Sequence, residues 1–297
     1  MATQKQYDAI TNWMIDALDE GYIPWRRPWA NATSGNLNRP HNAATGHTYK
    51  GLNPLILSFT AWRKGYLTNQ WLTYLQAESL GGNVIRGERS TLVSFWKIVQ
   101  AKKESEDDKP NSFPVLKMPR LFNVAQCENL KLPNRENVAP EDPKWTPQEK
   151  AQSIIDSYIG KHGPKVMRFG GDDAFYSPSH DFIQMPEQNQ FANPDGFYAV
   201  AFHEMGHSTG HSSRLQRFGD NDKSAKFGSP VYSKEELIAE MTSAFLADES
   251  GIESTLENSA AYIKNWLRVL QNDRKMVVTA ASAAQKAADL ILTEERS

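Results

Sequence analysis

Apolar positions along the chain change their spacing several times, and the changes mark out its elements. In residues 4 to 20, Tyr7, Ile10, Trp13 or Met14, and Leu18 recur at intervals of three and four, which predicts an amphipathic helix. The segment "GYIPWRRPW" ends it. "NAATGHTYKGLNPLIL" carries a glycine-bearing turn into an apolar run, and "TNQWLTYLQAESLGG" predicts a helix with an Asn or Thr cap and a Gly stop. "STLVSFWKIV", β-branched and aromatic without Gly or Pro, predicts a strand, and "PRLFNVAQCENL" returns to strand-like character. Between them residues 102 to 113, "KKESEDDKPNSF", read as a solvated loop.

Residues 131 to 148 contain four prolines and few apolar side chains, the composition of an interdomain linker. The predicted organisation is therefore a domain over 1–130, a linker over 131–148 and a second domain over 149–297. In the latter, "TPQEKAQSIIDSYIG" predicts a helix with Thr146 or a neighbour as its cap, and "AFYSPSHDFIQMP" predicts one or two short strands. "PDGFYAVAFHEMGHSTG" predicts a helix ending at Gly210, "SKEELIAEMTSAFLADESG" one ending at Gly251, and the residues from Ala260 onward one or two more. The fold class expected is α+β, with a mixed α/β first domain and a mainly helical second domain that has a small sheet.

Composition narrows the class. A chain of 297 residues supports two domains with their own cores. With no apolar run of eighteen residues and no basic, apolar and small-residue leader, the expectation is a cytoplasmic protein that does not engage a membrane. One cysteine, Cys127, excludes an internal disulfide framework and a Cys-rich zinc site, so histidine and carboxylate must bind any metal. The net charge of −2 hides an asymmetry: residues 1–100 carry 10 Lys+Arg against 6 Asp+Glu, and the remainder 23 against 29.

The chemistry is concentrated in "FHEMGHSTGH", residues 202–211. On a helix His203 and His207 stand one turn apart on one face and can direct two imidazoles at one ion, with Glu204 beside them to take a proton from a metal-activated water. The expected ion is divalent, zinc by its preference for such donors. An extended motif would need a third histidine at position 213, which is Ser213, so the third ligand is sought among glutamates of the next helix. Ser233 and Glu236 have capping-box spacing, which gives Glu236 a structural task. Glu240 sits among Leu237, Ala239, Met241 and Ala244, where an unpaired carboxylate is expensive. Glu240 is therefore preferred as ligand, with Glu236 as outer-shell support or the alternative. Tyr176, His180 and His211 are candidates to stabilise a developing oxyanion, and the strand preceding the motif is a candidate for β-augmentation by an extended peptide.

The first domain offers different chemistry. Trp25, Arg26, Arg27, Trp29, Tyr49, Lys50, Trp71, Tyr74, Arg86, Arg89 and Lys97 interleave aromatic and basic side chains, the combination that stacks on unpaired bases and follows phosphates. No motif for sequence-specific reading is present. The partner expected is single-stranded DNA, bound largely independently of sequence.

"EGYIPWRRPW", "NAATGHTYKGLNPLIL", "FHEMGHSTGHSSRL", "YSKEELIAEMTSAFL" and "AAYIKNWLRVLQND" together resemble the plasmid-encoded ArdC antirestriction family, and also the N-terminal regions of some plasmid primases. The resemblance runs over nearly the whole chain. It implies an N-terminal single-stranded-DNA-binding domain, a C-terminal zincin-like metallopeptidase domain, and protection of unmodified incoming DNA from restriction during conjugation. A restriction enzyme or other host protein would then be a target. It also implies ligand roles for His203 and His207, the base role for Glu204, and a third ligand in "EELIAE" without choosing between Glu236 and Glu240. The rival expectation is a non-catalytic DNA-binding protector whose metal site is structural or latent.

Overall fold

A computed structural model of the chain describes residues 4–20, 22–24, 39–100, 112–133, 146–218, 230–252 and 260–293. It divides into two units, residues 1–14 with 32–135 and residues 15–31 with 136–297. The division falls inside the first helix, α1 (Gln4–Asp19).

The first unit continues with β1 (His41–Asn42), α2 (Asn53–Lys64), β2 (Gln70–Leu72), α3 (Tyr74–Ser79), β3 (Asn83–Val84), β4 (Thr91–Leu92), β5 (Phe95–Gln100), β6 (Ser112–Lys117), β7 (Arg120–Asn123) and β8 (Cys127–Glu128). A four-stranded sheet has the order β1-β2-β7-β4, parallel at β1–β2 and antiparallel elsewhere. β3 with β8 and β5 with β6 form separate antiparallel pairs. Leu57 and Ala61 of α2, Trp71, Val93 and Leu121 form a buried cluster against the sheet. Gly65 in the left-handed conformation (φ 69°) stops α2, a backbone angle that favours glycine.

Three sequence expectations change here. The helix expected over "TNQWLTYLQAESLGG" begins only at Tyr74, because Gln70–Leu72 pair in the sheet and Thr73 then caps α3 through a reciprocal box with Gln76. The strand over "STLVSFWKIV" is broken into β4 and β5 at Ser94, whose backbone N–H and carbonyl bond the Asn53 side chain at 2.8 and 2.7 Å. The last two residues of the expected loop, Ser112 and Phe113, belong to β6, which pairs with β5.

The second unit contains α4 (Pro147–Lys161), β9 (Val166–Phe169), β10 (Phe175–Ser177), β11 (Phe182–Met185), α5 (Pro194–Ser208), α6 (Pro230–Ser250), α7 (Ala260–Asn272) and α8 (Met276–Ile291). Thr146 and Glu149 form a capping box on α4, and Asn193 caps α5 by accepting from Gly196 N at 2.8 Å. The three strands are ordered β10-β11-β9, so β10 is an edge strand. α6 packs against both α5 and α8. Its buried side chains include Leu237, Ile238, Met241 and Leu246, and α8 contributes Ala280, Ala284 and Ala287, small enough for close helix contact. The fold is thus mixed α/β with small sheets, and its C-terminal part is mainly helical, as expected. Among the described residues no helix is long and apolar enough to cross a membrane.

Trp71 belongs to this core and not to a binding face. It is 0% exposed and its indole N–H donates to Asn69 Oδ1 at 3.0 Å, so neither ring face is open to a base. Trp71→Ala should lower unfolding free energy by about 3–5 kcal/mol, the usual cost of emptying a buried aromatic site. Trp71→Phe should cost less, and urea denaturation of the two variants checks both.

Candidate functional site

Gly206, between the two motif histidines, lets α6 approach α5. A Cβ there would lie 3.1 Å from the Ala239 Cα and 3.3 Å from the Ala239 carbonyl oxygen, so any larger residue forces a shift. Ala239 faces Gly206, and the residues three before and one after it, Glu236 and Glu240, are carried onto the same side as His203 and His207.

The Nε2 atoms of His203 and His207 are 3.1 Å apart. Glu236 reaches both, with one oxygen 3.6 Å from His203 Nε2 and the other 3.5 Å from His207 Nε2. Glu240 lies on the opposite side of His203, 4.0 Å from Nδ1, a buried nitrogen with no hydrogen-bond partner. Glu235 lies 3.5 Å from Nδ1 of His207. Among the described residues, His203, His207 and Glu236 form a group whose ligand atoms all fall within 4.8 Å of one another. Around a tetrahedral ion with bonds of about 2.0–2.1 Å, neighbouring ligand atoms stand about 3.3–3.4 Å apart, and the 3.1–3.6 Å separations here match that spacing.

Geometry therefore ranks Glu236 ahead of Glu240, the reverse of the order expected from the sequence. The capping argument against Glu236 lapses because α6 already begins at Pro230, which leaves Ser233 inside the helix with its side chain buried. The burial argument for Glu240 still holds in part, since its carboxylate has His203 Nδ1 as a neighbour.

Two arginines that HExxH spacing does not reach complete the surroundings. Arg217 donates to both oxygens of Glu235 at 2.6 and 3.0 Å, to the Gly206 carbonyl at 2.8 Å and to Thr209 Oγ1 at 2.7 Å. Arg214 donates to the Ser208 carbonyl at 2.7 Å, to Tyr176 OH at 3.1 Å and to both oxygens of Asp181. The signal in the sequence is two arginines just beyond a helix whose last carbonyls need donors. Glu235 was hidden beside two other glutamates, because only the rotation of α6 distinguishes the three.

Protonation reflects this crowding. Burial works to raise Glu236, but hydrogen bonds from His203 and His207 and their charges hold its carboxyl far below the usual range. Burial also works to lower His207, yet Glu235 and Glu236 raise it well above the ordinary imidazole value, and His203 is raised by Glu236 in the same way. Four carboxylates, Glu204, Glu235, Glu236 and Glu240, surround the pair, and Arg217 is bonded to one of them, Glu235. A divalent cation held there would offset this concentration of negative charge and would displace the extra proton that the raised imidazoles carry.

His203, Glu204 and His207 line a cleft of about 910 Å³ with Phe175 and Tyr176 of β10 and Phe218. Glu204 is only 7% exposed. Tyr176 lines the same cleft, but its hydroxyl donates to Asp181 at 2.7 Å and accepts from Arg214. Burial, then Asp181, push that phenol up, so it is engaged as a structural donor. His180 bonds Ser177 and Ser179, His211 bonds Ser213, and neither lines the cleft.

Of the expected nucleic-acid residues, Arg89 lines a cleft in the first unit, and Trp71 is enclosed in the core. Trp25, Arg26, Arg27 and Trp29 lie outside the described residues. Tyr49 is half-buried with its hydroxyl accepting from Asn42, whereas Lys50, Tyr74, Arg86, Arg89 and Lys97 are exposed.

Residues 154–283 match the zincin-like metallopeptidase family, and residues 4–124 match the N-terminal domain of anti-restriction factor ArdC. The chain is 35% identical over 301 residues to an Escherichia coli DNA primase TraC, covering 98% of this chain and 27% of that protein. It thus spans about a quarter of the length of this relative. It is also 32% identical to the protein y4eC of Sinorhizobium fredii (strain NBRC 101917 / NGR234), covering 95% of this chain and 90% of that one. The crystal structure of the antirestriction ArdC protein from plasmid R388 in its metal-free form superposes with a TM-score of 0.73 at 32% identity, over 96% of both chains. Its Mn(II)-bound form gives 0.73 at 31% identity.

Two outcomes test the geometry of this site. Gly206→Val should cost about 1–3 kcal/mol by overpacking the α5–α6 contact, with Gly206→Ala smaller, as read from urea midpoints. Asp181 has its carboxyl held low by Arg214 and Tyr176 against the opposing pull of burial. Its stabilising contribution is therefore present above the ordinary value of 3.8 and is lost as pH falls through the lowered one. The stability gap between wild type and Asp181→Asn should close on acidification below that range.

Proposed function

The chain belongs to the ArdC family of antirestriction proteins and carries that family's zincin-like metallopeptidase domain; from this premise we propose that it binds single-stranded DNA and protects incoming unmodified plasmid DNA from host restriction, with peptide hydrolysis at the HExxH cleft as part of the mechanism. The observation that carries the catalytic half is the convergence of His203, His207 and Glu236 within 4.8 Å, with Glu204 on the same cleft wall.

In this reading His203, His207 and Glu236 hold a divalent cation. The Mn(II)-bound form of the R388 relative supports a divalent ion, and two imidazoles with one carboxylate also suit zinc. When bound, the ion supplies Lewis-acid polarisation of a carbonyl and makes water more acidic. The protein does the rest. Glu204 accepts the proton of the attacking water and returns it to the leaving amine. Glu235 faces the Nδ1 atom of His207 and orients its ring, the Arg217 fork fixes Glu235, and Glu240 stands 4.0 Å from the Nδ1 atom of His203. An extended peptide would pair with β10, the edge strand among the described residues of that sheet, which borders the cleft. The target would be a restriction enzyme or another host protein.

Glu204→Gln keeps shape and leaves His203, His207 and Glu236 intact. It should retain metal content and DNA binding, reduce peptidase turnover by at least about 100-fold, the usual weight of a general base, and lose protection of unmodified DNA in restricting cells. Full protection by the variant would move the antirestriction effect to DNA binding and leave the metal site structural or latent.

A further inference from the structure

The first unit contains a cleft of about 450 Å³ whose lining shares Arg89 with the basic and aromatic set picked out by sequence and otherwise differs from it. Trp13, Phe59 and Tyr66 form its aromatic wall, with Ile10 beside them. Trp13 meets Phe59 edge-on with centroids 5.5 Å apart, and Tyr66 meets Trp71 edge-on at 6.1 Å. These contacts anchor the rings to the core, while Trp13 and Tyr66 remain partly exposed in the cleft. Three cations stand on its rim: Arg63, Lys64 and Arg89, all exposed. The first two end α2, where they also complement the helix dipole. Arg89 comes from the separate segment between β3 and β4 and owes nothing to that helix. The acidic residue nearest in sequence, Glu88, has its carboxylate taken up by Gln126 Nε2 at 2.7 Å.

We infer that this cleft takes one unstacked base of a single-stranded nucleic acid, with the flanking phosphates held by Arg63, Lys64 and Arg89. The inference rests on the reading above that the chain binds single-stranded DNA. The volume lies within the range of about 300–1,000 Å³ typical of small-ligand sites. Rings fixed by core contacts offer stacking surfaces at little ordering cost, and every base has a face to stack. Cations arriving from two elements match a backbone that passes over the mouth. A base paired within a duplex cannot enter without leaving its stack, which is the physical ground for preferring single strands.

The test uses the full chain and a fluorescent 20-mer of oligo(dT), with anisotropy followed over a salt series. Lys64→Gln/Arg89→Gln should weaken binding at least tenfold and reduce the salt slope by about 1.4, two lost phosphate contacts at about 0.7 each. Lys117→Gln/Lys131→Gln, which removes the same charge from exposed positions elsewhere in the unit, should bind within threefold of wild type. Thr60→Trp fills the cleft while keeping every cation. It should abolish the wild-type preference for oligo(dT) over an abasic strand of equal length, with circular dichroism confirming the fold of each variant. Equal loss in both double variants, or loss in neither, overturns the cleft and leaves single-strand binding standing. A preference that persists in Thr60→Trp overturns base entry. No salt-sensitive binding by wild type overturns both the cleft and the reading on which it rests.

Discussion

The contact of α5 with α6 at Gly206 and Ala239 is the constraint on which the second unit depends. A side chain as small as a methyl group at position 206 would come within 3.1 Å of the facing backbone. With hydrogen there instead, α6 delivers three glutamates to two imidazoles on the neighbouring helix. Burying that many ionisable groups is costly unless each is paired. The pairing is extensive: the imidazoles face carboxylates through both ring nitrogens, and Glu235 is gripped by a two-pronged arginine. The same proximity raises both histidines and lowers Glu236, so helix packing and electrostatics are one feature here.

The segment after α5 turns a helix end into a support. Arg214 and Arg217 return to the last turn of α5, satisfy its carbonyls at Ser208 and Gly206, and carry the connection outward to Asp181 in the β10–β11 turn and to Glu235 on α6. The histidine helix, the strand beside the cleft and the glutamate helix are thereby linked through two guanidinium groups. Five donors in a rigid fork make such a three-way junction feasible, and a lysine in either place would bond fewer partners.

In the first unit the same amino-acid types serve opposite ends. Trp71 is enclosed and closes the core, whereas Trp13 reaches from α1 into a cleft rimmed by cations. Composition reports that aromatic and basic residues are abundant; it carries no information on which aromatic faces water. That distinction arises from which side of a strand or helix meets α2, and from where α2 ends.

Several features were legible in the chain because they are local. The helix spacing of His203 and His207, the Thr146 cap, and the strand-forming residues around Tyr176 and Ile183 depend on periodicity and near-neighbour hydrogen bonds. The presence of a His–Glu site and the mixed α/β class followed from such patterns. Other features had no local signature. Whether Glu236 or Glu240 meets both imidazoles depends on the rotation of α6 against α5, and a turn of about 100° per residue separates neighbours that sequence cannot rank. The extended run before Thr73 competed with a helical pattern, and pairing with β7 decided it. The sequence alone thus determined which chemical groups are present and the period at which they recur. The tertiary structure decided which of them meet, because distance across packed elements is set by glycine-sized gaps and helix rotation, and neither is written in spacing.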